Sequence, residues 1–286
     1  MQPEKTLPIT VYTPESQMRS PLKLVKAMVR DLKDSRELAW RLFVRDFSAR
    51  YRQSALGIFW AFLPALLSGL VFIILQAKNV VNFGKTDIPY PVFVIIGTTL
   101  WQIFSESVNA PLKAVHGCRA MLAKINFPRE ALIVAGLYEI LFSVAIKSVV
   151  VVAVLLFFRM PLGFGLLLSI PALLSLVLFG LALGLFLTPI GMLYSDIGSG
   201  LGVLIQFWFF VTPVVYPAPS SFPYSLIATL NPVSPLLVGT RDLMTKGYLA
   251  DVAPFLIISG CSLVGLFVAW VIYRVAMPVI IERMSS

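Results

Sequence analysis

Histidine is nearly absent from this 286-residue chain. His116 is the only one, and no Cys/His grouping has metal-ligand spacing, so the sequence offers no zinc site. The two cysteines, Cys118 and Cys261, fall in a predicted cytoplasmic loop and inside a predicted span, which argues against a disulfide between them. Charge is scarce too, at 13% of residues, with 14 acidic against 23 basic side chains. No Asp-x-Asp pair lies in a predicted outer loop, so a metal-dependent membrane glycosyltransferase lacks its signature. Gly84-Lys85-Thr86 looks like the end of a phosphate-binding loop, but Asn79 stands where the first glycine is required and no strand precedes it. No internal repeat of the kind built into many secondary transporters is visible. No apolar run precedes residue 57; a cleavable signal peptide is not expected, and the first span would direct insertion.

What is abundant is apolar surface. With 58% hydrophobic residues and a mean hydropathy of +0.87, the chain holds more apolar side chains than one soluble core can hide. A polytopic, all-α membrane protein is the expected class. A crossing needs about 20 predominantly apolar residues, and six runs of that kind stand out: 57–77, 91–111, 131–158, 164–190, 199–216 and 253–277. The net charge of +9 sits mainly at the ends of these runs, where it reads as topology rather than nucleic-acid binding. Eleven Lys and Arg precede residue 57, and Lys113, Arg119, Lys124 and Arg129 occupy the loop after the second span. Both termini are therefore expected in the cytoplasm.

Residues 36–56 run into the first span without a linker. In RELAWRLFVRDFSARYRQ, Trp40, Phe43, Val44, Phe47 and Tyr51 recur at helical spacing, while Arg41, Arg45, Ser48 and Arg52 repeat on a different face. That pattern predicts an amphipathic interfacial helix. Residues 1–35, with early prolines and scattered charge, are expected to form a cytoplasmic arm that is mobile or surface-lying; 57–277 form one membrane domain and 278–286 a cytoplasmic tail. Between the fifth and sixth spans, residues 217–251 are too apolar for a solvated loop and too short in each stretch to cross. Two short re-entrant or interfacial helices divided by Asn231 and Pro232 fit best, with a loop folded over the outer surface as the alternative.

Ionisable residues inside spans are few: Glu106 in the second, Glu139 and Lys147 in the third with Ser143 between them. Their spacing makes a polar, bundle-facing stripe, read as structural in preference to a proton relay. Aromatic residues are many, including Phe59 and Trp60, Trp101 and Phe104, and Phe207, Trp208 and Phe210. They suit either stacking against sugar rings or lipid-facing packing. Gly180/Gly184 and Gly198/Gly202 each permit close helix approach. The segment HGCRAMLAKINFPRE joins a short amphipathic piece to a Phe-Pro-Arg-Glu junction. It is both a candidate docking element and good helix-start chemistry.

In order along the chain, Arg45-Asp46 with Arg50-Tyr51-Arg52, Leu56-Gly57, Trp60 and Pro64, then Pro89-Tyr90-Pro91-Val92-Phe93, Phe104-Ser105-Glu106-Ser107, Phe127-Pro128-Arg129-Glu130, Tyr194-Ser195-Asp196-Ile197, residues 206–217 and Asn231-Pro232 resemble the landmarks of permease subunits of polysaccharide-exporting ABC transporters. Tyr194-Ser195 departs from relatives that carry an arginine before the Asp, so any contact of that arginine is not carried over. The resemblance implies a non-catalytic permease that works as a homodimer with two copies of a separate ATPase. That ATPase would bind ATP and Mg, so no cofactor is expected in this chain. Lipid-linked O-antigen, capsule or a related glycan would be moved across the bacterial inner membrane. It further implies that Arg45, Arg50, Tyr51 and Arg52 receive the lipid head group, that Phe59, Trp60, Trp101, Phe104, Phe207, Trp208 and Phe210 line the channel, and that Arg119, Lys124, Phe127, Pro128, Arg129 and Glu130 couple to the ATPase. A related permease for teichoic acid, a drug or a small lipid is the near alternative. An ion-coupled secondary transporter, relying on Glu106 or Glu139, is the distant one.

Overall fold

The computed structural model describes residues 21–52, 54, 57–81, 84–125, 127–194, 196–219, 221–222 and 224–285. Among them every regular element is helical: α1 (Pro21–Asp34), α2 (Arg36–Tyr51), a 3-10 turn (Gly57–Ala61), α3 (Leu63–Ala77), α4 (Tyr90–Gly117), α5 (Arg119–Lys124), α6 (Glu130–Phe157), α7 (Phe164–Leu193), α8 (Asp196–Val211), α9 (Tyr224–Leu230), α10 (Val233–Thr245) and α11 (Val252–Ser285).

Four of these are long and apolar enough to cross a membrane: α4, α6, α7, and α11 over Val252–Arg283. The expected first and fifth spans are the shorter apolar helices α3 and α8, of 15 and 16 residues. At about 1.5 Å per residue they cover some 22–24 Å, short of a hydrocarbon layer about 30 Å thick. The reason for the first shortfall is local: Gly57 adopts φ +50, the chain tightens into the 3-10 turn, and Pro64 sits in the first turn of α3.

α4 and α7 form the centre. Gly180 of α7 faces Ser107, where an added Cβ would come within 2.7 Å of the serine Cβ, and one at Gly184 would be driven into the Val108 carbonyl. These two glycines use their small size to bring the helices together. Gly198 barely reaches Leu112 and Gly202 meets nothing within 4 Å, so the second glycine pair has no such role within the chain. α11 and α10 pack on α7, α3 and α6 on α4, and α2 on α6.

The segment 217–251 does contain two helices, α9 and α10, broken at Asn231 and Pro232. Asn231 Oδ1 accepts from the Val233 N–H at 3.1 Å and from Trp208 Nε1 at 2.9 Å, while its Nδ2 donates to Thr212 Oγ1 at 2.8 Å. The Asn231 side chain thus satisfies the first N–H of α10 and ties the break to the end of α8. α10 is buried along nearly its whole length, from Val233 to Thr245, which a loop lying over the surface would not be. Of the expected arm, residues 1–20 lie outside the described residues. Residues 21–34 form α1, whose Met28 is fully buried and whose Leu32 packs on the same face.

Candidate functional site

α2 lies against α6 through interleaved rings rather than through a plain apolar stripe. Phe43 and Phe47 on one helix meet Tyr138 and Phe142 on the other, the Phe47–Phe142 centroids being 4.6 Å apart at 76°, and Trp40 meets Tyr138 edge-on at 5.8 Å. Residues four apart share a helix face, so this zipper runs parallel to both axes. It places Arg50, one turn beyond Phe47, beside Glu139 of α6.

Glu139 Oε1 receives both Arg50 Nη2 and, at 3.0 Å, Lys113 Nζ from α4. Three elements therefore meet at one carboxylate oxygen. Further along the antiparallel α4–α6 pair a second rung forms. Glu106 accepts from Ser143 Oγ at 2.6 Å and is paired with the fully buried Lys147 at 2.5 Å. The polar stripe expected on the third span is real, and its partner is the carboxylate of the second. Ionisable side chains inside a bundle face its interior and pair with one another, as these two do.

Two cavities flank these rungs. One of about 170 Å³ is lined by Phe43, Asp46, Phe47, Arg50, Lys113, Gly136 and Glu139, among others. The next, about 230 Å³, shares Phe47, Arg50, Lys113 and Glu139 and adds Trp60, Glu106, Asn109 and Ser143. Together they make a groove with a charged floor between α2, the 3-10 turn, α4 and α6.

Of the four residues expected to receive a head group, Arg50 lies in this groove. Arg45 donates to Asp46 at 2.8 Å and to Cys118 Sγ at 3.4 Å; the Asp46 bond first, then Cys118, hold its guanidinium above the ordinary arginine range. Arg52 is exposed, and the Tyr51 side chain lies outside the described residues. Lys113 was legible only as a topology charge, although it stands seven residues from Glu106 on one face of the same helix.

The aromatic residues divide. Phe59, Trp60, Phe207 and Phe210 face outward, each more than half exposed. Trp101 and Phe104 are buried; Phe104 stacks on Phe179 and meets Trp208 edge-on at 5.5 Å, and Trp101 meets Phe209. These last two pack the interior of the chain in this conformation.

In the expected coupling segment, Arg119 and Lys124 on α5 and Ile125 after it are exposed, while Phe127 packs into the core formed by α2, α4, α6 and α11. Pro128 opens the turn into α6, and the Arg129 carbonyl accepts from Tyr273 Oη at 3.3 Å. Glu130 is buried and paired with Arg274 of α11, which also reaches Asp31 of α1 at 2.6 Å. Glu130 thus joins three helices instead of presenting its charge outward. Nothing in the local sequence signals a pairing between positions 31, 130 and 274. Arg241 is buried as well. It lies 3.7 Å over the Phe93 ring and donates to the carbonyls of Pro213 and Val214 at 3.2 and 3.1 Å.

These elements define a multi-pass helical membrane protein with a charged lateral groove and a short exposed helix next to the start of a long span. The chain belongs to the ABC-2 type transporter family, which matches residues 37–245. It is 30% identical to the O-antigen export system permease protein RfbA of Myxococcus xanthus over 258 residues, covering 86% of this chain and 95% of that one. It is 25% identical to RfbA of Klebsiella pneumoniae over 210 residues, 72% of this chain and 79% of that protein. To the polysialic acid transport protein KpsM of Escherichia coli it is 23% identical over 242 residues, 82% and 91% of the two chains.

Proposed function

We propose that this chain is the permease subunit of an ATP-driven exporter that moves lipid-linked polysaccharide, of the O-antigen or capsule class, across the bacterial inner membrane. The observation that carries this is the end-to-end similarity to permeases named for O-antigen and polysialic acid export, over 86% and 82% of this chain. Two copies of the permease act with two copies of a separate ATPase, which supplies ATP and Mg; the permease itself is not an enzyme. Six crossings leave both termini in the cytoplasm, the two short apolar helices α3 and α8 completing theirs with the irregular segments that flank them. α2 lies at the cytoplasmic surface, and α9 and α10 re-enter from the opposite side.

Each functional part has support in the geometry. Arg50 in the groove, with Arg45 on the same helix, Tyr51 at its last position and Arg52 just after it, offers guanidinium groups to a lipid pyrophosphate. The outward rings of Phe59, Trp60, Phe207 and Phe210 suit a seam between two copies through which a glycan is drawn, with Trp101, Phe104 and Trp208 as the packing behind it. Arg119 and Lys124 are the exposed charges with which α5 docks on the ATPase, while Phe127, Pro128, Arg129 and Glu130 fix the angle at which it is presented.

Affinity purification of the tagged chain in mild detergent tests the assembly. A stoichiometric ATPase subunit with measurable ATP hydrolysis is expected, together with loss of surface glycan when the gene is deleted. A solitary, ATP-inert protein whose deletion leaves the cell surface unchanged would overturn the reading.

A further inference from the structure

α5 is too short to hold its own angle, and the segment that follows it, residues 125–129, is not helical. The support comes from α11. Tyr273 Oη donates to the Arg129 carbonyl at 3.3 Å, and the next residue, Arg274, turns Nη1 to the Glu130 carboxylate and Nη2 to Asp31 of α1 at 2.6 Å. Two consecutive residues of one helix therefore hold two consecutive residues of the junction between α5 and α6. Tyr273 and Met277, one turn apart, are fully buried in the apolar cluster to which α5 contributes Leu122, and α11 packs directly against α5. Pro278 has no N–H for the Arg274 carbonyl, so the backbone ladder opens just beyond the hold, while residues 255–277 contain no proline. At the other end of that unbroken stretch Phe255 fills the space over Gly239 of α10, where an added Cβ would come within 2.8 Å of the ring.

We propose that Tyr273 and Arg274 are positioning residues that mount α5 on α11, so that a displacement of α5 is carried along α11 to α10 in addition to passing into α4 at Cys118. Apolar contacts such as those of Phe127 and Leu122 are non-directional and let surfaces slide. A hydrogen bond weakens steeply once it is bent, and a buried ion pair does not separate without leaving charge uncompensated. The junction is therefore tied to α11 in direction as well as in contact. Asp31 keeps the Arg274 fork aimed from the far side, since two carboxylates on one guanidinium fix its plane. From Arg274 to Phe255 the helix runs about 28 Å at about 1.5 Å per residue, ending on α10. That α5 receives the ATPase rests on the exporter reading; its mounting on α11 goes beyond it.

Spin labels at K124C on α5 and V268C on α11, both exposed positions, in a C261S background report the mount in the full-length chain in detergent. A single narrow distance distribution is expected. Y273F should raise the population outside it by about fivefold and E130Q by about tenfold, the scales of a neutral and a charge-assisted hydrogen bond. Arg274 keeps Asp31 as its partner in both variants. V151A, which removes buried methyl groups from the other apolar cluster, should lower the unfolding midpoint and leave the distribution as it was. Surface glycan at matched expression, divided by ATP hydrolysis of the purified complex, should fall in Y273F and further in E130Q, with the ATPase still co-purifying. Distributions unchanged in both variants, equal broadening in V151A, or an unchanged ratio of export to hydrolysis overturns the proposal. Surface glycan in a deletion strain is scored separately. If it is lost while the distributions do not respond, the exporter reading stands and the mount falls; if it is intact while they respond, the reverse is true.

Discussion

Lys147 and Arg274 are kept inside this bundle by different means. Lys147 relies on one carboxylate across a helix pair, whereas Arg274 is shared between Glu130 and Asp31 from two other helices. Removing one member of a buried charge group leaves the others uncompensated, at a cost of about 3–5 kcal/mol. Arg274→Met should therefore lower the thermal unfolding midpoint in detergent strongly, and a midpoint equal to wild type would show that the triad contributes nothing. Gly184→Leu, forcing a side chain into Val108, should cost about 1–3 kcal/mol, while Gly202→Leu should leave the unfolding midpoint of the isolated chain unchanged. At this scale the sequence was partly readable. Both glycine pairs carry the same spacing, and only packing distinguishes the one that is used. Glu130 was legible as a helix-start acid, but its partner lies 144 residues away. The rings at Trp101 and Phe104 were visible, and their inward direction was not.

Among the elements, the break between α9 and α10 was legible because Asn and Pro are residues that stop helices, and the same Asn accepts from the first N–H of the helix that follows. Asn231→Ala removes its bonds to Trp208, Thr212 and the Val233 N–H, at about 1–3 kcal/mol for the groups left unsatisfied; fluorescence of Trp208 in a background lacking other tryptophans should report the loosening at lower denaturant than global unfolding. The loop before α4 is clamped to the end of α10 by Lys246, which meets Asp87 at 2.8 Å and Asp242 at 3.2 Å. The hydrogen bond from Lys246 pulls the Asp87 carboxyl below its ordinary range. Burial opposes the charge on Lys246, but its bonds to Asp87 and Asp242 outweigh that and raise it. The clamp is thus intact through neutral pH, lost on the acid side as pH falls through the lowered Asp87 value, and lost on the alkaline side as pH rises through the raised Lys246 value. Proteolysis within residues 78–89 should accelerate on both sides, and Asp87→Asn, which removes the clamp at every pH, should give the faster rate throughout with neither arm. For α5, Arg119→Glu with Lys124→Glu should sharply reduce ATPase co-purification without shifting the unfolding midpoint, since both side chains are exposed.

For the whole molecule, hydropathy was enough to mark where the apolar helices lie, because a membrane demands length before anything else. It overstated α3 and α8, since run length counts apolar residues and not whether the backbone stays helical through Gly57 or the turn after Val211. Reporters inserted after Val80 and after Ile125 should be accessible from opposite sides of the membrane; reporters accessible from the same side would rule out the six-crossing arrangement. The joint between α4 and α5 is one residue, Cys118, and at the other end of α4 Phe93 lies beneath Arg241, which grips the carbonyls of Pro213 and Val214. A helix of 28 residues, about 42 Å long at about 1.5 Å per residue, is thereby seized at both tips. If α5 is driven, as proposed for its docking on the ATPase, such a helix works as a pushrod: axial travel at α5 would reappear at the turn after α8, and Pro111, which lacks the N–H for one rung of the backbone ladder near that tip, is where the rod would bend.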